Sequence, residues 1–150
     1  MIQGIHLMKI SQISIFIENR SGRLAKITTA LGAAGVNIRA LSLADTSDFG
    51  ILRLIVNQTE KAINTLKDHG FTVMVSSVIA VAVPDTPGAL GNLLSLMEHA
   101  GLNVEYMYAF VTKNQDQAVI ILRFDDIDKA IETLMENDIT VLDEGALMEM

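Results

Sequence analysis

No cysteine occurs in the 150 residues, which excludes a disulfide framework, a thiolate nucleophile and a thiolate metal site and fits a cytoplasmic protein. Tryptophan is absent too, and two Tyr and five Phe are the only aromatics. The core must therefore be built from Ile, Leu, Val, Ala and eight Met, a globular composition rather than a disordered one. Basic residues are scarce: 11 Lys and Arg against 18 Asp and Glu give a formal net charge of −7. Such a surface repels phosphate backbones, and no Lys/Arg cluster or base-stacking aromatic pattern interrupts it, so nucleic acid is not an expected partner. The longest apolar stretch, residues 71 to 83, contains Ser76 and Ser77 and falls short of the ~20 residues that span a bilayer. No basic region precedes an apolar one at Met1 to Lys9, so neither a signal peptide nor a membrane partner is expected.

What is present is a stretch that occurs twice. Asn19-Arg20-Ser21-Gly22-Arg23-Leu24 leads into a helical pattern that ends at Gly35-Val36-Asn37-Ile38. Asp85-Thr86-Pro87-Gly88-Ala89-Leu90 leads into another that ends at Gly101-Leu102-Asn103-Val104. Ile13, Ile15 and Ile17 alternate against Ser14 in a first strand expected from about residue 5 to 17. Ser21 is the expected N-cap of a helix whose apolar stripe is Leu24, Ile27, Leu31 and Ala34, closed by Gly35. Strands over 36–44 and 51–56 follow, then a helix over 57–69 with Ala62, Ile63 and Leu66 inward, then a strand over 71–77. The order is βαββαβ, an antiparallel sheet with both helices on one face.

A shift of 66 places Ile13 on Ile79, Gly22 on Gly88, Leu24 on Leu90, Gly35 on Gly101 and Asn37 on Asn103. After a turn at Val111 to Gln117 that is two residues longer, a shift of 68 places Lys61, Ala62, Leu66 and Val73 on Lys129, Ala130, Leu134 and Val141. The chain is thus an α+β tandem with repeats expected at 1–77 and 78–150 and almost no linker. Units of this size are marginal alone and are expected to pack side by side into a continuous sheet. Leu52, Leu54 and Val56, with Ile120, Leu122 and Phe124, should meet the helices; Ile51, Arg53 and Ile55, with Val119, Ile121 and Arg123, lie on the other face. That second face is apolar enough to call for cover, so a homodimer or higher assembly is expected.

The paired turns resemble the ACT domain, a small βαββαβ module that binds amino acids and regulates amino-acid metabolism. The first copy is similar to the regulatory domain of phosphoglycerate dehydrogenase. The resemblance implies a free amino acid as ligand, a metabolic enzyme or regulator as partner in trans, and no cofactor or catalytic domain. In that family the turn of one unit faces the second strand of its neighbour, so Asn19 is expected to meet Asn103 rather than Asn37, with two pseudo-equivalent sites. Ile17, and Val83 in the second copy, stand where the dehydrogenase carries a ligand-contacting His.

The chemistry of such a site follows from the residues. N–H groups at a helix start suit a carboxylate, and Gly22 and Gly88 permit close approach to the backbone. Asn19, Asn37, Asp85 and Asn103 offer oxygens to an ammonium. The candidate ligand-binding residues are these with Arg20, Ser21, Leu24 and Ile38 in the first copy, and Pro87, Ala89, Leu90 and Val104 in the second. Tyr106, Tyr108 and Phe110 alternate along a strand as packing or as a side-chain pocket. His6, His69 and His99 are scattered, so no metal site is expected. An acylphosphatase-like enzyme would share the topology, but Arg20 and Arg23 have no counterpart in Thr86 and Ala89. An RNA binder would place aromatics where Arg53 and Ile121 stand. A module that only dimerises is the remaining alternative.

Overall fold

The computed structural model describes residues 2–18, 20–45, 48–110, 112 and 116–150. Asn19 and most of the turn read at Val111 to Gln117 lie outside them. The elements run α1 (Ile2–Leu7), β1 (Ile10–Glu18), α2 (Arg23–Ala33), β2 (Ile38–Asp45), β3 (Phe49–Val56), α3 (Thr59–Asp68) and β4 (Thr72–Pro84). They continue with α4 (Ala89–His99), β5 (Val104–Phe110), β6 (Gln117–Phe124), α5 (Ile127–Glu136), β7 (Thr140–Leu142) and α6 (Glu144–Met148). Two compact units result, Ser11–Ser76 and a second made of Ser77–Met150 with Met1–Ile10. The boundary falls inside β4, which crosses it as one unbroken strand.

In the first unit β3 pairs antiparallel with β1 and β2, with Ile13 opposite Leu54, Ile15 opposite Leu52 and Ile17 opposite Gly50. In the second, β6 pairs with β4 and β5, and β7 adds to β4; here Ile79 lies opposite Leu122, Val81 opposite Ile120 and Val83 opposite Ala118. These registers are the same once 66 is added on one strand and 68 on the other. Register is fixed by which residues must face the helices, since a one-residue slip would turn every apolar side chain outward. Ile13, Ile15, Leu52, Leu54 and Val56 accordingly bury against Ile27, Leu31, Ala62 and Leu66. Ile79, Val81, Leu122 and Phe124 bury against Leu93, Met97, Ala130, Ile131 and Leu134. The opposite face is also buried at Ile55, Val119, Ile121 and Phe110, while Tyr106 and Tyr108 are half-buried.

The helices α2, α3, α4 and α5 end alike, three of them with Gly. Val36 N–H donates to Leu31 O and Gly35 N–H to Gly32 O; Leu102 and Gly101 repeat this on Met97 and Glu98, and Phe71 and Gly70 on Leu66 and Lys67. The left-handed residue is Gly at 35, 70 and 101, with φ of 78°, 84° and 74°. At α5 the same bonds form around Asp138, a non-Gly residue at φ 57°.

The first strand differs from expectation at its start. Residues 5–7 are helical, because Ile5 is buried in the core of the second unit and α1 packs on α5 there. Lys9 Nζ adds an ion pair to Asp128 on α5 at 2.8 Å. An apolar β-branched run read in isolation carries no record of that distant helix.

Candidate functional site

Each candidate turn is built the same way. Arg23 N–H donates to Arg20 O and Ala89 N–H to Thr86 O, both at 3.3 Å, and the third residue of each turn, Gly22 or Gly88, sits at φ 88° or 89° with ψ near zero. This is the type II pattern, which requires positive φ at its third position and favours Pro at its second, where Pro87 stands. Ser21 occupies that second position in the first copy, so it is a turn corner; Gly22 is the N-cap of α2, and no side chain caps the helix. Gly88 serves α4 identically. By contrast Asp126 and Asp143 cap α5 and α6, their Oδ1 atoms accepting from Lys129 N–H at 3.1 Å and Ala146 N–H at 2.7 Å. A Gly N-cap has no side chain to accept from the first turn of the helix; the N–H groups of Arg23 and Ala89 are taken by the turn itself, and those of Leu24 and Ala25, and of Leu90 and Gly91, have no side-chain cap. Among the described residues, chain neighbours aside, no atom lies within 4 Å of where a Cβ would stand on either Gly.

Asn37 and Asn103 sit at the other end of these helices. Along the eleven residues of α2 the rise is about 16 Å, so one unit's turn and its own Asn37 are not brought together. The backbone N–H of Asn37 donates to Asn57 Oδ1 at 2.9 Å, and Asn57 N–H returns a bond to Asn37 O. Asn103 and Asp125 form the same exchange, with Asn103 N–H donating to Asp125 Oδ1 at 3.1 Å. Both Asn37 and Asn103 are exposed. A β-bulge follows at Ile38 in β2 and at Val104 in β5. Asn57 and Asp125 were not singled out by sequence, although the shift of 68 aligns them. The bulges left no sequence signal.

Around the first turn the structure gathers the candidates Arg20 and Leu24 with residues that sequence reading did not select as ligand contacts, namely Ile17, Glu18, Arg23, Leu43 and Gly50. A cavity of about 60 Å³ is lined on an apolar side by Ile17, Gly50 and the exposed Leu24 and Leu43, and on a charged rim by Glu18, Arg20 and Arg23. Arg20 Nε donates to Glu18 Oε2 at 2.8 Å, and Arg23 Nη2 lies 3.8 Å from the same oxygen. Leu43 and Gly50 reach this place only through the β2–β3 hairpin, and a Cβ on Gly50 would lie 3.5 Å from the side chains of both Ile17 and Leu43. At the second turn Asp85 N–H donates to Asp116 O at 3.1 Å. Among the described residues no three His, Cys, Asp or Glu side chains gather as a metal site, and no helix is long and apolar enough to cross a membrane. His69 and His99 each hold a carbonyl one turn back, Thr65 O and Ser95 O, at helix ends.

Two ferredoxin-like units, each with a left-handed Gly opening the helix that follows its first strand, define a tandem of small α+β modules. The family model of the ACT domain pair matches residues 8–150, and the chain belongs to that family. Among solved structures it is similar to protein BT0572 from Bacteroides thetaiotaomicron, with 39% identity, a TM-score of 0.89 and coverage of 95% of this chain and 98% of that one. It shares its fold with the regulatory subunit of aspartate kinase from Thermus thermophilus, in its ligand-free form, at 16% identity, TM-score 0.62 and coverage of 88% and 94%. The corresponding subunit from Thermus flavus matches at 14% identity, TM-score 0.59 and coverage of 86% and 92%. A search of curated proteins finds no match.

Proposed function

We propose that the chain is a non-enzymatic sensor that binds a free amino acid and passes the signal to a partner in amino-acid metabolism, acting in the cytoplasm as a homodimer. The observation that carries this reading is the repeated turn: both units keep a left-handed Gly at a helix start without a side-chain cap, while α5 and α6 are capped by Asp. A ligand carboxylate would accept from the N–H groups of Leu24 and Ala25, or of Leu90 and Gly91, since those of Arg23 and Ala89 close the turns. Asp85, or Asn19 in the first copy, would accept from the ammonium. Arg20, Ser21, Leu24, Pro87, Ala89 and Leu90 would flank the ligand. Asn37 and Ile38, or Asn103 and Val104, would complete a site from the second strand of another ACT unit, since they lie at the far end of their own helix.

A thermal-shift screen of the amino acids tests the reading. A specific ligand at 100 times its dissociation constant should add about 2.7 kcal/mol of stability. Replacing Asn19 and Asp85 together by Ala should abolish binding in calorimetry and leave the circular dichroism spectrum unchanged. If no amino acid raises the melting temperature, the tandem is an assembly module and the sensor reading fails.

A further inference from the structure

The two turns share a backbone and differ in charge. A carboxylate held by backbone N–H groups would be held alike in both units, because Gly22 and Gly88 have the same conformation. The groups that can tell one amino acid from another are therefore the side chains beside the turn. At the first turn these are Arg20 and Arg23; the shift of 66 puts Thr86 and Ala89 in their places. Glu18 is replaced by Pro84, and the shift of 68 puts Ala118 where Gly50 lines the cavity.

Among the described residues that line the cavity, two guanidinium groups meet one carboxylate, Glu18. Each guanidinium has five N–H donors in a planar fork suited to a carboxylate. Glu18 engages them through a single oxygen, Oε2. The guanidinium groups of Arg20 and Arg23 thus carry more donors than Glu18 Oε2 can accept. This local positive charge stands out on a chain of net charge −7, whose general field would repel an anionic ligand. A cavity of about 60 Å³ is roughly four times what one water requires, which suits a carboxylate on a short aliphatic stem and not a whole amino acid. The apolar side of Ile17, Leu24 and Leu43 would pack against the methylenes of that stem.

We propose that this cavity takes the side-chain carboxylate of an acidic amino acid, so that the first unit selects a dicarboxylic ligand and the second does not. The proposal rests on the amino-acid-binding reading above and adds the ligand class. Glu18 holds the two guanidinium groups at the rim, and its own charge opposes the ligand's and tempers affinity.

Calorimetry on the full chain with L-aspartate, L-glutamate and their amides asparagine and glutamine tests it, because each amide keeps the shape and removes the charge. One acid is expected to bind at least about tenfold tighter than its amide, a difference within the range for a charged hydrogen-bonded pair. Arg20→Thr with Arg23→Ala, which installs the residues of the second turn, is expected to weaken the acid at least about tenfold more than its amide. Glu18→Gln is expected to tighten the acid about threefold at low salt, whereas a purely structural Glu18 would give a loss. An amide or a neutral amino acid that binds as tightly as the acids overturns the proposal and leaves the sensor reading standing. Loss of acid and amide alike in the double variant also overturns it, since the two Arg would then only shape the turn. Heat from no amino acid at all overturns both.

Discussion

The turn before α2 and the turn before α4 have nearly superimposable backbone angles at their Gly and almost no side chain in common around it. Arg20, Ser21 and Arg23 in one correspond to Thr86, Pro87 and Ala89 in the other. The fold demands only the left-handed Gly and the bond from the fourth residue to the first; everything else at these turns is free to differ. Side-chain divergence on a constant backbone separates what holds the site open from what selects its contents. The same contrast runs through the cores. Both sheets keep one register, but Val56 fills in the first unit the place that Phe124 fills in the second.

That difference in filling gives the largest expected effect. Phe124→Ala should cost about 3–5 kcal/mol, and Val56→Ala about 2 kcal/mol, because the cavity left behind scales with the atoms removed. Urea titration followed by circular dichroism measures both, and equal losses would break the distinction between the two cores. An intermediate effect is expected at the turns themselves. Gly22→Ala and Gly88→Ala should each destabilise by roughly 1–2 kcal/mol, all of it from the left-handed conformation, since among the described residues, chain neighbours aside, no atom would be met by the added Cβ. Costs that differ between the two by more than about 0.5 kcal/mol would show that the turns are not equivalent in strain. The smallest change lies where the repeats part at a helix end. Asp138→Gly should stabilise by about 0.5–1 kcal/mol, whereas Gly70→Ala at the equivalent place should destabilise, each read from the thermal midpoint.

Much of the architecture could be read from spacing. The shifts of 66 and 68 already imply that Ile13 and Leu54 pair as Ile79 and Leu122 do, because a preserved apolar pattern preserves register. Both helix-closing Gly residues at 35 and 101 were equally plain. Less legible were the features set by contacts distant in sequence. Ile5 belongs to a strand-like run whose burial depends on α5, more than a hundred residues away. Ser21 has the chemistry of an N-cap, but the type II turn spends it at a corner and hands the cap to Gly22. Arg20 was visible as a candidate, yet Leu43 and Gly50 join it only through the β2–β3 hairpin. The sequence pattern predicts elements well and cavities poorly, since a cavity is lined by residues from several elements.

The division of the chain into units has a consequence for synthesis. Residues 11–76 form a contiguous unit, but the other draws on both Met1–Ile10 and Ser77–Met150. As the chain leaves the ribosome, the nested unit has all its residues while Ile5 still lacks the core it joins. At about 5–20 residues per second the remaining 74 residues take roughly 4–15 s to arrive. During that interval the apolar first turns of the protein wait exposed. The order of closing is therefore the reverse of the order of emergence for the first ten residues, and α5 decides when α1 can settle.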